Sequence, residues 1–371
     1  GILATATLEV VFGFGQIFGF IPNFNSQFVL GGLFGNPGAF GGHLAIVFSF
    51  IFVMVMFRKE LHLSENIYYA SLVCLLCVVF LVIMSDSRGA WIATFSGLAF
   101  ILNYKYNIIS SATSFLKSKT VIYISGVVLI CFIVILSFAL YQYKPASAFG
   151  RLFVWKVSKE MVLEKPIFGN GYGFFEASYG KIQAQYFIDN NAGSNEIEVA
   201  DYVTCAYNEF LEMLIESGFV GLVLFLGILF FAFFSRSNPN NSKIRIAAKA
   251  SLIALIALSM VSYPFRLMPN QIILVSCIFI IFQTANYKTY HTGHFAKTIA
   301  LLMLSIILVL SFFYGKYLYG TYHFRNGYAK VIRGDINGGI KDYVIAANQL
   351  QNNGKFLFYF GSAFYLKQDY E

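Results

Sequence analysis

The chain has 371 residues, of which 58% are hydrophobic and only 12% are charged, and its formal net charge is +8. Soluble domains contain about 25% charged residues, so this composition excludes an ordinary soluble protein and predicts a membrane protein. Apolar runs of roughly 15 to 20 residues without alternation exclude an outer-membrane barrel, and the position of most Lys and Arg between these runs argues against nucleic-acid binding.

Nine apolar segments are candidates for membrane-spanning helices. The first contains Glu9 and Gln16, and the fourth is short and contains Gly97, so both are also compatible with re-entrant segments. We predict an all-α polytopic membrane protein with spans at roughly 3–21, 39–57, 67–85, 90–104, 119–141, 209–234, 247–263, 270–285 and 298–319.

The basic residues between the spans are distributed unequally. If the chain starts in the cytoplasm, eleven Lys and Arg fall in or beside the cytoplasmic loops, whereas the short loops of the other side contain only Arg88 and Arg266. Because basic residues concentrate on the cytoplasmic side of membrane proteins, this bias places the central loop and the C-terminal tail outside the cytoplasm.

The central loop is long for a connection between spans. Loops of this length are usually functional or disordered, and this one has too many aromatic residues to be disordered. Its residues 150–164 form an amphipathic pattern with Arg151 and Trp155 on one face. We predict a folded extramembrane lid over a site. The predicted domains are membrane spans in 1–141, the lid in 142–208, further spans in 209–321 and a tail in 322–371.

Three arginines, Arg88, Arg151 and Arg266, are predicted on the face that bears the lid. A guanidinium group at a membrane boundary is costly unless it reaches the lipid headgroups, pairs with a carboxylate or binds an anion. Its planar fork is well suited to a diphosphate. We predict that these residues bind such an anion. Contact with headgroups explains any one of them equally well, and for Arg151 a cation–π or anchoring role competes.

Two further motifs border this face. Arg88 is expected at the tip of a hairpin between two spans, with Gly89 allowing the tight turn. The glycine-rich run 169–173 follows no parallel strand, which excludes a Rossmann-type site. For this run we make only the weak prediction that its amide groups face an anion.

The span after the lid begins at Tyr207, Asn208 and Glu209. Asn208 can cap this helix, and Glu209 and Glu212 suit the positive end of its dipole. Capping explains these residues completely. Glu209 lies close to the predicted arginine face, however, and can also act as a general base.

The tail is polar and has helical periodicity. A helix, a Gly-Asp turn at 334–335 and a second helix resemble a tetratricopeptide repeat, and a second repeat begins near Lys355. Because such arrays need about three repeats, and because the first residue is Gly, we expect this chain to be a fragment of a longer protein.

Several of these elements, in this order, resemble the superfamily of O-antigen ligases and polymerases, which are bacterial membrane glycan transferases. The elements are Gly35-Asn36-Pro37, Ser87-Arg88-Gly89, Arg151 with Trp155, Pro166 to Gly173, and Asn208 to Leu211 with Gly218 and Gly221.

The resemblance implies a GT-C-like enzyme of the bacterial inner membrane with a periplasmic lid and tail. Such an enzyme transfers a glycan from an undecaprenyl-diphosphate carrier to a lipid A core, a protein or another glycan, with inversion. It requires no obligatory metal, and we expect no cofactor. By this similarity Arg88 and Arg151 neutralise the diphosphate leaving group.

The sequence departs from the family at one position. Many ligases have His immediately before the Asn-Glu element, where this chain has Tyr207, and the lid contains no histidine. Either Glu209 or Asp201 replaces the imidazole base, or Tyr207 orients the acceptor, or the reaction needs no strong base. The candidate catalytic residues are thus Tyr207, Asn208 and Glu209, and a polymerase remains an alternative to a ligase.

Two other classes of function compete with an enzyme. A transporter of the lipid-linked glycan would show more charged residues in mid-span, where Glu9 is the main example here. A scaffold would use the tail to bind a protein partner, and this role can coexist with catalysis. The expected partners are the lipid-linked glycan, its acceptor, membrane lipids and this tail-binding protein, with no nucleic acid.

Overall fold

The computed structural model of the chain describes two compact units, Gly1–Tyr287 and Lys288–Glu371. It describes residues 2–23, 25, 27–108, 110, 141–189, 193–201, 203–235, 242–285, 293–351 and 353–367. Within these ranges the structure is helical and contains no β-strand, which confirms the all-α prediction.

The first unit contains ten helices in its described residues. The helices are α1 (Ile2–Ile17), α2 (Pro37–Met56), α3 (Glu65–Met84), α4 (Arg88–Tyr106), α5 (Pro145–Glu164), α6 (Phe174–Asp189), α7 (Ser194–Glu198), α8 (Glu209–Phe234), α9 (Ser242–Ser259) and α10 (Met268–Gln283). Residues 119–140 of the predicted fifth span lie outside the described residues.

Three of the described helices are long and apolar enough to cross a membrane, namely α2, α3 and α8. Two shorter apolar helices, α1 and α10, fall below that length. A membrane protein is therefore supported, while the total of nine spans and the GT-C-like label stay predictions.

Helix α2 is the centre of the first unit, Gly1–Tyr287, which we call the membrane unit. It packs against α3, α4 and α9, and its residues Leu44, Val47 and Ile51 are fully buried, because the helix is apolar on every side. Gly97 of α4 faces the Ser49 side chain, and a Cβ at this position would overlap it. The glycine that weakened the fourth predicted span is therefore required for the close approach of α4 to α2.

The polar residues of α1 hold the turn that precedes α2. The Gln16 side chain accepts hydrogen bonds from Gly31 N (2.9 Å) and Gly32 N (2.8 Å), and Glu9 Oε2 accepts one from Leu33 N (3.1 Å). Buried backbone groups need such partners. Glu9 and Gln16 thus provide hydrogen-bond acceptors for the backbone amides of the irregular segment against which α1 lies. This explains why two polar residues occur in an apolar helix.

The lid has its own hydrophobic cluster, which is formed mainly by α5 and α6. The rings of Phe175 and Tyr179 stack 5.1 Å apart and lie with Phe153, Val157 and Met161 in its interior. This interior forms because α5 presents apolar residues at helical spacing to α6.

The segment 166–171 of the lid fills a break in α8 at Gly218, whose φ is 67° and ψ is −171°. The carbonyl oxygens of Ile215 and Glu216 accept from the amides of Asn170 and Gly171, each at 2.9 Å. On the other side of the break, the amides of Phe219 and Val220 donate to lid carbonyls. The lid therefore replaces the hydrogen bonds that α8 loses at its kink.

The second unit contains α11 (Gly293–Ile332), α12 (Ile336–Leu350) and α13 (Gly354–Lys367). The expected helix, Gly-Asp turn and second helix are present, and Asp335 caps α12 through Gly338 N (2.8 Å). Helix α11 continues without a break through position 321, where the sequence pattern changed from apolar to polar. The tetratricopeptide assignment stays a prediction.

Candidate functional site

A cavity of about 350 Å³ lies between the lid and the helix ends beneath it, and we call it the arginine cavity. Its walls come from the first turns of α2 and α4, from the N-terminal half of α5, from the lid segment before α8, and from the α9–α10 connection. The lining residues include Asn36, Gly38, Ser87, Gly89, Ser147, Arg151, Asp201, Tyr207 and Tyr263. An adjoining opening of about 380 Å³ is lined by Arg88, Arg151 and Trp155.

Arg151 is the central charged group of the arginine cavity. Its guanidinium carbon lies 5.4 Å from the centroid of the Tyr207 ring. Burial lowers the pKa of Arg151, and the positive charge of Arg88 lowers it further. Arg151 has no hydrogen bond and no carboxylate partner among the described residues. An anion placed between the two arginines would compensate this charge.

Arg88 is the first residue of α4, and its Nη2 donates to Ser147 Oγ of α5 (3.2 Å). The expected hairpin is present, but its turn is made differently. Asp86, not Gly89, adopts the left-handed conformation, with φ 51°, while Gly89 lies inside α4 with no positive φ and faces Leu258. The sequence-based explanation of Gly89 was therefore wrong: its small size matters for packing and not for the turn.

Two helices direct their N-terminal ends at the arginine cavity. Asn36 caps α2 by accepting from Gly38 N (2.8 Å), and Ser87 caps α4 by accepting from Ala90 N (3.4 Å). Helix N-termini carry a partial positive charge. Together with the two arginines they make this cavity favourable for an anion.

Tyr207 forms the wall of the cavity opposite Arg151. Its backbone is left-handed, with φ 52°, and its ring meets that of Tyr263 edge to face at 5.7 Å. Burial raises the pKa of the Tyr207 hydroxyl, although the charge of Arg151 opposes this shift. The hydroxyl therefore stays protonated at neutral pH and is available to donate a hydrogen bond. Asp201 also lines the cavity.

A second cavity, of about 460 Å³, lies beside the first and contains four glutamates, Glu176, Glu209, Glu212 and Glu216. Arg266 lies among them: its Nη2 contacts Glu212 Oε1 at 2.6 Å, and its Nη1 contacts Glu176 Oε2 at 3.1 Å. Burial would lower the pKa of Arg266, but the charge of Glu212 raises it above its ordinary value. We call this space the glutamate cavity.

The structure divides the predicted site residues between the two cavities. Arg88, Arg151 and Tyr207 come together at the arginine cavity and its opening. Arg266 is paired with two carboxylates in the glutamate cavity, so its contacts give no support to the predicted diphosphate role. Glu209 also lines the glutamate cavity, and its carboxylate accepts from Phe265 N (2.5 Å).

Asn208 acts as the predicted helix cap. Its Oδ1 accepts from Phe210 N and Leu211 N, each at 3.0 Å. The side-chain oxygen is used in these two bonds, so the structure supports the capping role, and the catalytic role of Asn208 stays a prediction.

The amides of the glycine-rich run 169–173 were weakly predicted to face an anion, and Asn170, Gly171 and Gly173 bond to groups of the protein itself. The amides of Asn170 and Gly171 donate to α8 carbonyls, and that of Gly173 donates to Glu216 Oε1 (2.9 Å). Their hydrogen-bonding capacity is used in holding the lid to α8. Among the described residues, no group of three or more His, Cys, Asp or Glu is arranged to bind a metal ion.

Among the cavity residues that were not identified from the sequence are Tyr263 and Ser147. Each lies far along the chain from its partner: Tyr263 meets Tyr207, and Ser147 accepts from Arg88. The sequence offered only an indication by position, and only for Tyr263, which ends the predicted span 247–263 just before the short connection that contains Arg266.

Comparison with known proteins supports the resemblance found in the sequence. Residues 70–226 match the family described as O-Antigen ligase, and this segment includes Arg88, Arg151 and Tyr207. It covers less than half of the chain. The matches therefore support the O-antigen ligase superfamily at the level of a shared segment.

Three Rickettsia proteins, each provisionally named a polysaccharide ligase, are similar to parts of the chain. The Rickettsia typhi protein is 26% identical over 230 residues, which cover 60% of this chain and 52% of the relative. The Rickettsia conorii protein is 31% identical over 117 residues, or 32% of this chain and 27% of the relative. The Rickettsia felis protein is 30% identical over 117 residues with the same coverage.

The chain thus spans 52% of the length of the first relative and 27% of the other two. No solved structure matches the chain.

Proposed function

We propose that this protein transfers a glycan from an undecaprenyl-diphosphate carrier to an acceptor hydroxyl, in the manner of an O-antigen ligase. The observation that supports it most is Arg151, a largely buried guanidinium without a carboxylate partner among the described residues, beside the second positive charge of Arg88. The match of residues 70–226 to the ligase family is independent support.

In the proposed reaction the acceptor oxygen attacks the anomeric carbon of the glycan. The bond between that carbon and the diphosphate oxygen breaks, and the leaving diphosphate takes the electron pair. Arg88 and Arg151 stabilise the negative charge that develops on it, and the N-terminal ends of α2 and α4 add to this stabilisation. Attack opposite the leaving group inverts the anomeric centre.

The acceptor proton requires a destination near the arginine cavity. Asp201 and Tyr207 line this cavity, whereas Glu209 lines the neighbouring one. Because the Tyr207 hydroxyl keeps its proton, we propose that Tyr207 orients the acceptor and that the Asp201 carboxylate accepts the proton. Glu209, whose carboxylate holds Phe265 N, is proposed to be structural.

The proposed location is the bacterial inner membrane, with the arginine cavity on the periplasmic side. The distribution of basic residues supports this orientation. Labelling of single cysteines introduced at Ser147 and at Lys59 tests it. An impermeant reagent added to intact spheroplasts should modify position 147 only, and modification of both or of position 59 alone contradicts the orientation.

The function is tested by Arg88→Lys and Arg151→Lys. Each should reduce glycan transfer by about 100-fold, since an ammonium group keeps the charge but loses the bidentate geometry. Arg58→Lys is the matched control, because Arg58 also lies over a tyrosine ring, at 4.3 Å from Tyr68, on the face predicted to be cytoplasmic. Normal surface glycan in both cavity variants, at normal protein levels, would refute the proposal.

The glycan profile of cells without the gene distinguishes a ligase from a polymerase. Loss of every glycan-bearing acceptor indicates a ligase, which the names of the Rickettsia relatives favour. Retention of acceptors that bear a single repeat unit indicates a polymerase. Accumulation of undecaprenyl diphosphate in reconstituted membranes separates both from a transporter.

A further inference from the structure

The backbone of Ala206, the residue before Tyr207, is held from two directions. Trp155 Nε1 donates to the carbonyl oxygen of Ala206 at 2.8 Å. Ala206 N donates to Glu212 Oε2 at 2.9 Å. Both groups of Ala206 are therefore bonded to side chains that come from different helices, α5 and α8.

Glu212 is itself held in place by Arg266. Its second oxygen, Oε1, accepts from Arg266 Nε (3.0 Å) and Nη2 (2.6 Å). Only 8% of Glu212 is exposed, so the carboxylate is fixed between a guanidinium and a backbone amide. This is the geometry of a charge-assisted, bidentate contact, which gives directional as well as energetic control.

Tyr207, which follows the anchored Ala206, has an unusual backbone conformation. Tyr207 has φ 52°, a left-handed conformation that large side chains seldom adopt. Such a conformation persists only where the surrounding contacts impose it. The contacts that flank it here are the two bonds to Ala206 and the cap made by Asn208. They direct the Tyr207 ring toward Arg151.

We propose that Glu212, oriented by Arg266, is a positioning residue that fixes Tyr207 beneath Arg151 and so sets the diphosphate-binding geometry of the arginine cavity. The effect on diphosphate binding rests on the proposed function. The contacts that join Arg266, Glu212 and Ala206, which we call the clamp, are a property of the fold. It gives the glutamate cavity a role: the Arg266–Glu212 pair acts on the reaction site through the backbone of Ala206.

The first test measures binding of inorganic diphosphate to the purified full chain in detergent by calorimetry. Glu212→Gln removes the charge that Arg266 orients, and Arg266→Lys removes the bidentate contact. Each should weaken diphosphate binding by about tenfold. Glu176→Gln is the matched control, because Glu176 also contacts Arg266 but has no bond to Ala206, and its dissociation constant should stay within about twofold.

The second test reports on the clamp without any ligand. Cys205 directly precedes Ala206, the residue with the anchored backbone, and is only 4% exposed. In a background whose other cysteines are replaced by alanine, Glu212→Gln should raise the rate of maleimide labelling of Cys205 at least fivefold, and Glu176→Gln should not.

The outcomes separate the two proposals. If the wild type binds diphosphate, equal affinity in Glu212→Gln overturns the positioning role, and unchanged Cys205 labelling overturns it in either case. Absence of diphosphate binding in the wild type, combined with faster labelling in Glu212→Gln, supports the clamp and refutes the proposed diphosphate site. Equal effects of Glu212→Gln and Glu176→Gln in both measurements would show general loosening and would also overturn the inference.

Discussion

The guanidinium group of Arg151 lies over the ring of Tyr207, with 5.4 Å between its central carbon and the ring centroid. A cation–π contact of this kind contributes about 1 kcal/mol and leaves the N–H groups of the guanidinium free to meet a ligand. The ring is therefore a support for the arginine, whereas the hydroxyl is the group that we propose to orient the acceptor.

Substitutions of Tyr207 should separate these two uses. Tyr207→Phe keeps the ring and should leave diphosphate affinity within about twofold of wild type, while glycan transfer falls about tenfold because the donor hydroxyl is lost. Tyr207→Ala removes the support and should weaken diphosphate binding as well. Calorimetry and a transfer assay on the same preparations measure both effects. Identical behaviour of the two variants contradicts this division of roles.

Gly218 should be indispensable for docking of the lid. Its combination of φ 67° and ψ −171° is open almost only to glycine and costs other residues about 1–3 kcal/mol. A Cβ there would also overlap the carbonyl oxygen of Ile167. Gly218→Ala should therefore loosen the lid and increase its proteolysis.

Gly227 provides the control for this substitution, since it lies on the same helix and no neighbouring side chain or segment comes within 4 Å of the place that a Cβ would occupy. Gly227→Ala should leave proteolysis of the lid unchanged. Equal protease resistance of Gly218→Ala and the wild type would show that the lid is held by other contacts.

Arg245 should be a major determinant of the stability of the membrane unit. It is 1% exposed and donates to the carbonyl oxygens of Ser235 (2.7 Å) and Ile281 (2.5 Å), at the C-terminal ends of α8 and α10. Arg245→Met removes the positive charge from two helix ends and removes the arginine donor from both carbonyls, of which, among the described residues, only that of Ile281 keeps a bond from Thr284 Oγ1 (3.2 Å). The loss should cost about 3 kcal/mol.

Thermal unfolding in detergent measures the effect of Arg245→Met, with Lys243→Met as the control. Lys243 lies 4.9 Å from the Tyr104 ring, and its removal should cost less than about 1 kcal/mol. A melting temperature of Arg245→Met equal to that of Lys243→Met would contradict the assigned role.

Asp86, in the turn before α4, forms an ion pair with Lys144, with 2.5 Å between Nζ and Oδ2. This ion pair should make a contribution to stability that disappears only in acid. Hydrogen bonding to Lys144 holds the pKa of Asp86 below its ordinary value, and Tyr143 adds to this effect. A carboxyl group with a lowered pKa stabilises the folded state above its unfolded pKa of about 3.9, and this contribution is lost as the pH falls through the lowered value.

The difference in melting temperature between the wild type and Asp86→Asn should thus be constant from pH 5 to 8 and should shrink below about pH 4. Because the side chains of Asp86 and Lys144 are 46% and 40% exposed, this difference in melting temperature should be small and should decrease in high salt. A difference that grows on acidification would contradict the predicted sign.

The sequence by itself determined the class of protein and the positions of its helices. The apolar runs predicted spans at 39–57, 67–85 and 209–234, and the structure has helices at Pro37–Met56, Glu65–Met84 and Glu209–Phe234. The cap at Asn208 was also predicted. These features depend on residues close together in the chain, where hydrophobic periodicity and local hydrogen bonding are sufficient to decide the outcome.

Only the tertiary structure decided which charged residues share a cavity. The charge distribution of the sequence predicted an anion for Arg88, Arg151 and Arg266 alike, yet Arg266 is paired with Glu212 and Glu176 while Arg151 is not paired with any described carboxylate. The contacts that make this distinction join residues 54 and 90 positions apart. Charge pairing depends on distance in space and on burial, and neither quantity can be read from the order of residues in a chain.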